Sequence, residues 1–361
     1  MKYIIMHEGI SAHDAIGNDM EGMFHVLDRE HECYVYAVNR DSDSVRYTDR
    51  ESLEKAVQEP DNVLIYQHSI CWEEGYEILK KAACRIIIRY HNITPESFFL
   101  NINDTLYSRC KTGREMTERM TQEFPNAFWL CDSRFNASEV RAPEDRIGIC
   151  PPFHKIESWS AIRPNEALLR ELAESNRVNV LFVGRIAPNK GHLRALGIIR
   201  QYCLTYDKEI VIRFVGRFDD SLRLYHHAIR DLMLSYDLSD NVRFVGEASD
   251  RDLLSYYLGS DLMLCCSEHE GFCVPVIEAQ HLGLPVVAVS SAALPETMGK
   301  NQLCVDWNNR QLVAAIRMLS RNPEYAAFLR KAGMENYNAR FLDSSIRETF
   351  LRELERGTRL S

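Results

Sequence analysis

The strongest constraint on this chain is a regular alternation of short apolar runs with helix-forming stretches, kept up almost from end to end. The first half reads as strands at Tyr3–Met6, Cys33–Val38, Val63–Tyr66, Arg85–Tyr90, Ala127–Cys131 and Ile147–Cys150. Helical patterns lie between them at Asp19–Asp28, Glu73–Ala83 and Tyr107–Glu123. The second half repeats the scheme. Its strands are Asn179–Val183, Ile210–Val215, Val242–Val245, Leu262–Cys265, Val286–Val289 and Leu303–Val305. Its helices are Gly191–Tyr206, Ser221–Tyr236, Asp250–Gly259, Val274–Gly283, Gln311–Arg321 and Glu324–Asn338, with a last one over Ser344–Arg356.

Strands joined by helices predict parallel sheets covered on both faces. Runs such as Val180-Leu181-Phe182-Val183 carry no polar alternation, as expected of strands buried on both sides. The alternation breaks at Cys150-Pro151-Pro152-Phe153-His154, where paired prolines can continue neither a helix nor a central strand. A length of 361 residues suits two domains, each with its own core. The boundary is therefore placed at 153/154: residues 1–153 form the first domain and 154–340 the second. The terminal helix, about 341–361, is expected to pack back on the first.

Composition removes several classes. A hydrophobic share of 45% is too high for a disordered chain. The apolar runs are too short to span a bilayer, and the N-terminal one meets Glu8 too early for a secretory signal, so a cytoplasmic protein is expected. The eleven cysteines fall mostly within apolar runs and form no C-x-x-C pair, which reads as buried, reduced thiols. The twelve histidines show no metal-binding spacing, so no metal is expected. The net charge of −9 falls wholly within residues 1–150, and the remainder balances. No basic face emerges, which argues against nucleic-acid binding.

Two segments carry candidate chemistry. In Gly184-Arg185-Ile186-Ala187-Pro188-Asn189-Lys190-Gly191, a strand ends and a helix begins. Ligands of open parallel sheets bind beyond the carboxyl ends of strands, and two cations beside a helix N-terminus suit a diphosphate. The same residues also suit a solvated turn. In Glu270-Gly271-Phe272-Cys273-Val274-Pro275-Val276-Ile277-Glu278, one glutamate precedes a helix and another lies within it. The backbone N–H groups of Gly271, Phe272 and Cys273 then face a bound anion. The plainer reading is helix capping by Glu270 and a solvent-facing Glu278.

Taken together, Glu270-x7-Glu278, the Gly184–Gly191 loop, Val242-Arg243-Phe244-Val245-Gly246 and Gly283-Leu284-Pro285 with Leu294-Pro295-Glu296 resemble the signature of retaining glycosyltransferases of family 4 (glycosyl transferases group 1). In the first half, His7–Gly9 through Asp14–Asn18 resembles that family's glycine-containing loop. Tyr90-His91-Asn92-Ile93-Thr94-Pro95 is similar to a histidine motif of bacterial members that build surface polysaccharides. The fold so implied is GT-B: two doubly wound, Rossmann-like domains facing a central cleft. The N-terminal domain would bind the acceptor and the C-terminal domain the donor.

The resemblance implies transfer from a nucleotide-diphosphate sugar to a glycan or lipid-linked acceptor in O-antigen, capsule or exopolysaccharide assembly. It leans toward mannose or a related sugar. Arg185 and Lys190 would hold the diphosphate, Glu270 the sugar hydroxyls and Glu278 the ribose. Phe244 and Gly246 would lie at the base, and His91 and Gly17 would face sugar and acceptor. No cofactor or metal is implied beyond the donor itself. Lipid-linked acceptors imply weak contact with the inner face of the membrane, for which Arg109, Lys111, Arg114 and Arg119 offer a basic patch. A nucleotide-sugar epimerase, a phosphorylase and a non-catalytic sugar-nucleotide-binding subunit share this fold and stay open.

Overall fold

A computed structural model describes residues 1–11 and 14–360. The chain divides into two compact units. The first comprises Met1–Glu96, Thr105–Lys155 and Leu342–Ser361; the second comprises Ser97–Asp104 and Ile156–Phe341. The short Ser97–Asp104 segment joins the second unit through an Asn103 Nδ2 bond to the Ser221 carbonyl (2.8 Å).

The first unit holds β1 (Lys2–Ser11), β2 (Glu32–Asp41), β3 (Val63–His68), β4 (Arg85–Tyr90), β5 (Phe128–Cys131) and β6 (Ile147–Ile149). They form one parallel sheet in the order β2-β1-β3-β4-β5-β6. The second unit holds β7 (Val178–Val183), β8 (Ile210–Val215), β9 (Val242–Gly246), β10 (Leu262–Cys265), β11 (Val286–Val289) and β12 (Leu303–Val305). Their order is β12-β11-β10-β7-β8-β9, again all parallel. In each sheet the winding reverses once, between β1 and β3 and between β7 and β10. At such a point the flanking loops diverge to opposite faces and leave a crevice for ligand. Each unit is thus a doubly wound, Rossmann-like layer of the GT-B kind.

Three differences from the sequence reading have physical causes. β1 runs on past Met6 to Ser11 because its far half pairs with β2 out to Ser11 opposite Asp41. A pairing partner keeps His7 and Glu8 extended where their polarity suggests a strand end. The first helix starts at Ala15, not Asp19, since Asp14 caps it by accepting the Gly17 N–H (2.7 Å). The helices Arg50–Ala56, Arg134–Glu139 and Glu166–Ala173 are too short to show a helical period, though Asp49, Ser133 and Asn165 cap them.

The last helix, Asp343–Leu360, belongs to the first unit. It sends Ile346, Phe350 and Leu354 into that unit's core beside Phe24, Phe128 and Leu130. Gly148 and Gly357 let it approach closely: a Cβ on either would come within 2.8 Å of the Phe128 ring. Phe350 meets Phe153 edge-on at 5.5 Å. Phe350→Ala should destabilise the first unit by about 3–5 kcal/mol in urea denaturation. A loss below about 1 kcal/mol would show the helix to be dispensable to that core.

Candidate active site

Two loops meet at the reversal between β7 and β10. The first follows β7, makes a short turn at Pro188–Lys190 and enters the helix His192–Thr205 through Gly191. Gly191 sits at φ +79°, and a Cβ there would lie 2.0 Å from the Cys266 carbonyl oxygen. Only glycine permits that approach of backbone to backbone. The second loop follows β10 and enters the helix Val274–His281 with Pro275 in its first turn.

Hydrogen bonds stitch the loops together. The Glu268 N–H donates to the Asn189 carbonyl (2.7 Å), and Asn189 Nδ2 donates to the His269 carbonyl (3.2 Å). Arg194 grips Glu268 through two bonds of 2.8 and 2.9 Å. Thr297 Oγ1 holds the Phe272 carbonyl (2.6 Å).

Within this frame Lys190 Nζ lies 2.7 Å from Glu270 Oε1. Lys190 is 21% exposed at its side chain and Glu270 10%. Burial works against the ammonium, yet the adjacent Glu270 carboxylate more than offsets it and holds the Lys190 pKa above its ordinary value. Glu270 therefore faces a cation rather than capping the following helix. Cys273 stands at that helix's N-cap in a left-handed conformation (φ +78°) and makes no side-chain capping bond. Phe272 packs edge-on against Phe341 at 5.4 Å.

Glu278 lies within the helix and faces the fully buried Tyr257, whose hydroxyl donates to it at 2.5 Å. Burial pushes the Glu278 carboxyl up to about 7, with the Tyr257 bond pulling the other way. A solvated face was the plainer expectation for Glu278, and the buried tyrosine contact replaces it. The two glutamates have separate partners. Arg185 is about half exposed, with Nη1 3.9 Å from Asp219 Oδ2. Phe244 stacks on Phe214 at 5.1 Å, and the Gly246 carbonyl accepts the Gly216 N–H (2.8 Å). Lys190 and Glu270 are thus brought together, while Arg185, Glu278, Phe244 and Gly246 hold other positions on the same unit.

His91 and Gly17 belong to the first unit. The His91 ring is 6% exposed and held on both sides. Nδ1 lies 3.0 Å from Asp132 Oδ2 and Nε2 2.6 Å from Gln67 Oε1. Behind it the fully buried Arg89 bonds Asp19 (2.8 Å), Asp132 (2.8 Å) and the Cys150 carbonyl (2.8 Å). Asp19, His91 and Asp132 could converge on a cation, their donor atoms lying within 4.8 Å of one another. Arg89 already neutralises both carboxylates. Gly17 sits in the first turn of its helix rather than in a loop, and a Cβ there would meet the Ser11 carbonyl at 1.8 Å. Ala12 and His13 of the same segment lie outside the described residues.

The basic patch on the helix Asp104–Glu123 is largely consumed within the first unit. Arg109 pairs with Glu8, Arg114 bonds Glu139 and the Ile93 carbonyl, and Arg119 lies over the Tyr76 ring at 5.3 Å. Among the described residues no helix is long and apolar enough to cross a membrane. Tyr257, Asp132 and Gln67 escaped the sequence reading because none belongs to a local motif, and Asn189 was read only as part of its loop. Only their places at strand ends or on a facing helix, known once the sheet order is known, mark them.

Residues 166–336 match the family glycosyl transferases group 1. No curated protein matches this chain. The structure resembles HepE from Anabaena in complex with UDP and glucose, at a TM-score of 0.77 and 14% identity over 98% of this chain and 99% of that one. It resembles sucrose-phosphate synthase from Thermosynechococcus elongatus at a TM-score of 0.75 and 18% identity, with both chains covered fully. WaaG, a glycosyltransferase involved in lipopolysaccharide biosynthesis, follows at 0.66 and 14%, covering 96% of this chain and 98% of that one.

The Glu278 environment makes a stability prediction. Its folded pKa of about 7 stands above the ordinary carboxyl value of 4.5, so the native state binds the extra proton between the two. Relative to Glu278→Gln, the wild type should lose stability as pH rises from about 4.5 through 7 and level off above. Urea denaturation at pH 5 and pH 8 measures the difference. A pH-independent gap would contradict burial of an ionisable Glu278.

Proposed function

We propose that this chain, whose second unit carries a group 1 glycosyltransferase domain, moves a sugar from a nucleotide-diphosphate donor to a glycan or lipid-linked acceptor, with retention at the anomeric carbon. The observation that carries the reading is the Lys190–Glu270 contact at the reversal of the second sheet. A half-buried ammonium held by one carboxylate, on a loop entering a helix, suits an incoming phosphate. When the diphosphate takes Lys190, Glu270 is released to accept hydrogen bonds from sugar hydroxyls.

As the glycosidic bond breaks, negative charge grows on the departing diphosphate. Lys190 and the half-exposed Arg185 stabilise that charge more than they stabilise the intact donor, which is what lowers a barrier. The donor phosphate itself accepts the acceptor's proton, so neither a metal nor a second catalytic carboxylate is needed. Glu278 receives the ribose hydroxyls, and the backbone about Phe244–Gly246 meets the base. The backbone N–H groups of Gly271, Phe272 and Cys273 add to the anion site. The first unit takes the acceptor, with Gly17 and His91 at the carboxyl edge of its sheet. His91 reaches a ligand only by exchanging its Gln67 contact.

The complexes of HepE with UDP and with UDP-glucose support a nucleotide-sugar donor. WaaG, with its part in lipopolysaccharide biosynthesis, supports a role in surface-polysaccharide assembly; weak contact with the inner face of the membrane belongs to the same proposal. The Tyr90–Pro95 segment favours mannose or a related sugar.

The test is release of nucleoside diphosphate from UDP-, GDP- and dTDP-sugars, with the anomeric configuration of the product read by NMR. Lys190→Ala should cost roughly 1.5–3 kcal/mol, about ten- to a hundredfold in kcat/KM. Near-wild-type turnover would sink the phosphate role. Glu270→Ala should be almost inactive while binding nucleoside diphosphate at least as well, because Lys190 is then free. Weakened nucleotide binding with normal turnover at saturation would contradict the sugar-orienting role.

A further inference from the structure

Cys265 closes β10 and Cys273 opens the helix Val274–His281, so the two bracket the loop that carries Glu270. Their sulfurs lie 3.9 Å apart in a core otherwise built of residues such as Leu181, Val276, Val286 and Leu294. Hydrocarbon would fill that space as well, and Cys273 holds a side chain at a left-handed position that favours glycine. The pair is also chemically unequal. The contact between the two sulfurs lowers the Cys265 thiol below its ordinary range, and together with burial it raises that of Cys273. The thiolate is the reactive form.

We propose that Cys265 and Cys273 are a reversible oxidation site, a dithiol that hydroperoxide converts to an intramolecular disulfide, and that its closure disables the Glu270 loop. The second clause alone rests on the proposed function. The Cys265 thiolate attacks one oxygen of hydrogen peroxide, the O–O bond breaks, and the other oxygen leaves as water after taking a proton. This gives a sulfenic acid. The Cys273 sulfur then attacks the Cys265 sulfur, the S–O bond breaks, and the oxygen departs as a second water. Two thiols lose two electrons and two protons, and the peroxide gains them.

The new S–S bond is about 2.05 Å long, so the sulfurs draw together by roughly 2 Å. Cys265 is fixed in the sheet opposite Ala288, so the movement falls on Cys273 and the loop before it. That loop holds Glu270 on Lys190 and the Phe272 carbonyl on Thr297. Cys304 shares the row through Ala288 but stands two strand spacings from Cys265, roughly 9.6 Å, beyond disulfide reach.

Treating the full chain with graded hydrogen peroxide and then with dithiothreitol tests this. Cleavage after Glu268 and Glu270 separates the two cysteines for mass spectrometry. The expected result is a cross-linked peptide pair lighter by two hydrogens, with turnover falling at least tenfold in step with the cross-link and both recovering under dithiothreitol. Cys265→Ala should keep its basal turnover and resist the same peroxide. Absence of the cross-link in wild type, at doses that oxidise other thiols, overturns the site whatever the enzyme does. A full cross-link with unchanged turnover overturns the switch. Should the reduced protein turn over no donor, the proposed function fails, and the cross-link still decides the dithiol.

Discussion

The second unit depends on one close approach of backbone: Gly191 against the Cys266 carbonyl, where the β7 and β10 loops meet. The sheet order dictates it. Because β8 and β9 are laid down on one side of β7 and β10 to β12 on the other, the loops after β7 and β10 turn to opposite faces of the sheet beside each other. A side chain at Gly191 would separate them. With none, Asn189 can bond across to the second loop and Lys190 can reach Glu270. An ion pair half withdrawn from water contributes little net stability, since desolvation consumes much of the attraction. On the proposed function, its value is that either partner can be handed to a ligand.

The first unit uses the same topology differently. At its reversal, His7 Nε2 lies 3.1 Å from Ser69 Oγ, joining β1 to the loop after β3. Further along the sheet edge, Arg89 pairs with Asp19 and Asp132, and His91 bridges Asp132 and Gln67. The charge distribution follows. The net −9 sits in the first 150 residues, where many of the cations are already bound to acids or carbonyls. The balanced half carries the proposed anion site, with Lys190 and Arg185 as its local cations. Global charge therefore says little about what polyanion a chain such as this takes.

Much of the fold was legible because parallel strands buried on both faces must be short, apolar and β-branched. Arg85–Tyr90, Ile210–Val215 and Val286–Val289 stand out for that reason alone. Helices shorter than two or three turns show no period and were missed. β1 was cut short because only its neighbour β2 explains a strand running through His7 and Glu8. The site was legible as two separate motifs. That Lys190 touches Glu270 depends on β7 lying beside β10, which no local pattern records. Tyr257 on Glu278 and Asp132 on His91 are contacts of the same kind.

The central claim is that Lys190 and Glu270 are held together as the resting form of a diphosphate site. Calorimetric titration of UDP, GDP, dTDP and ADP into the wild type and Lys190→Ala tests it most directly. The account predicts that at least one nucleoside diphosphate binds the wild type, stabilising it by about 2.7 kcal/mol at a hundred times its Kd, and that Lys190→Ala weakens that ligand at least tenfold. Binding of equal strength in both proteins, or none to either, would contradict it.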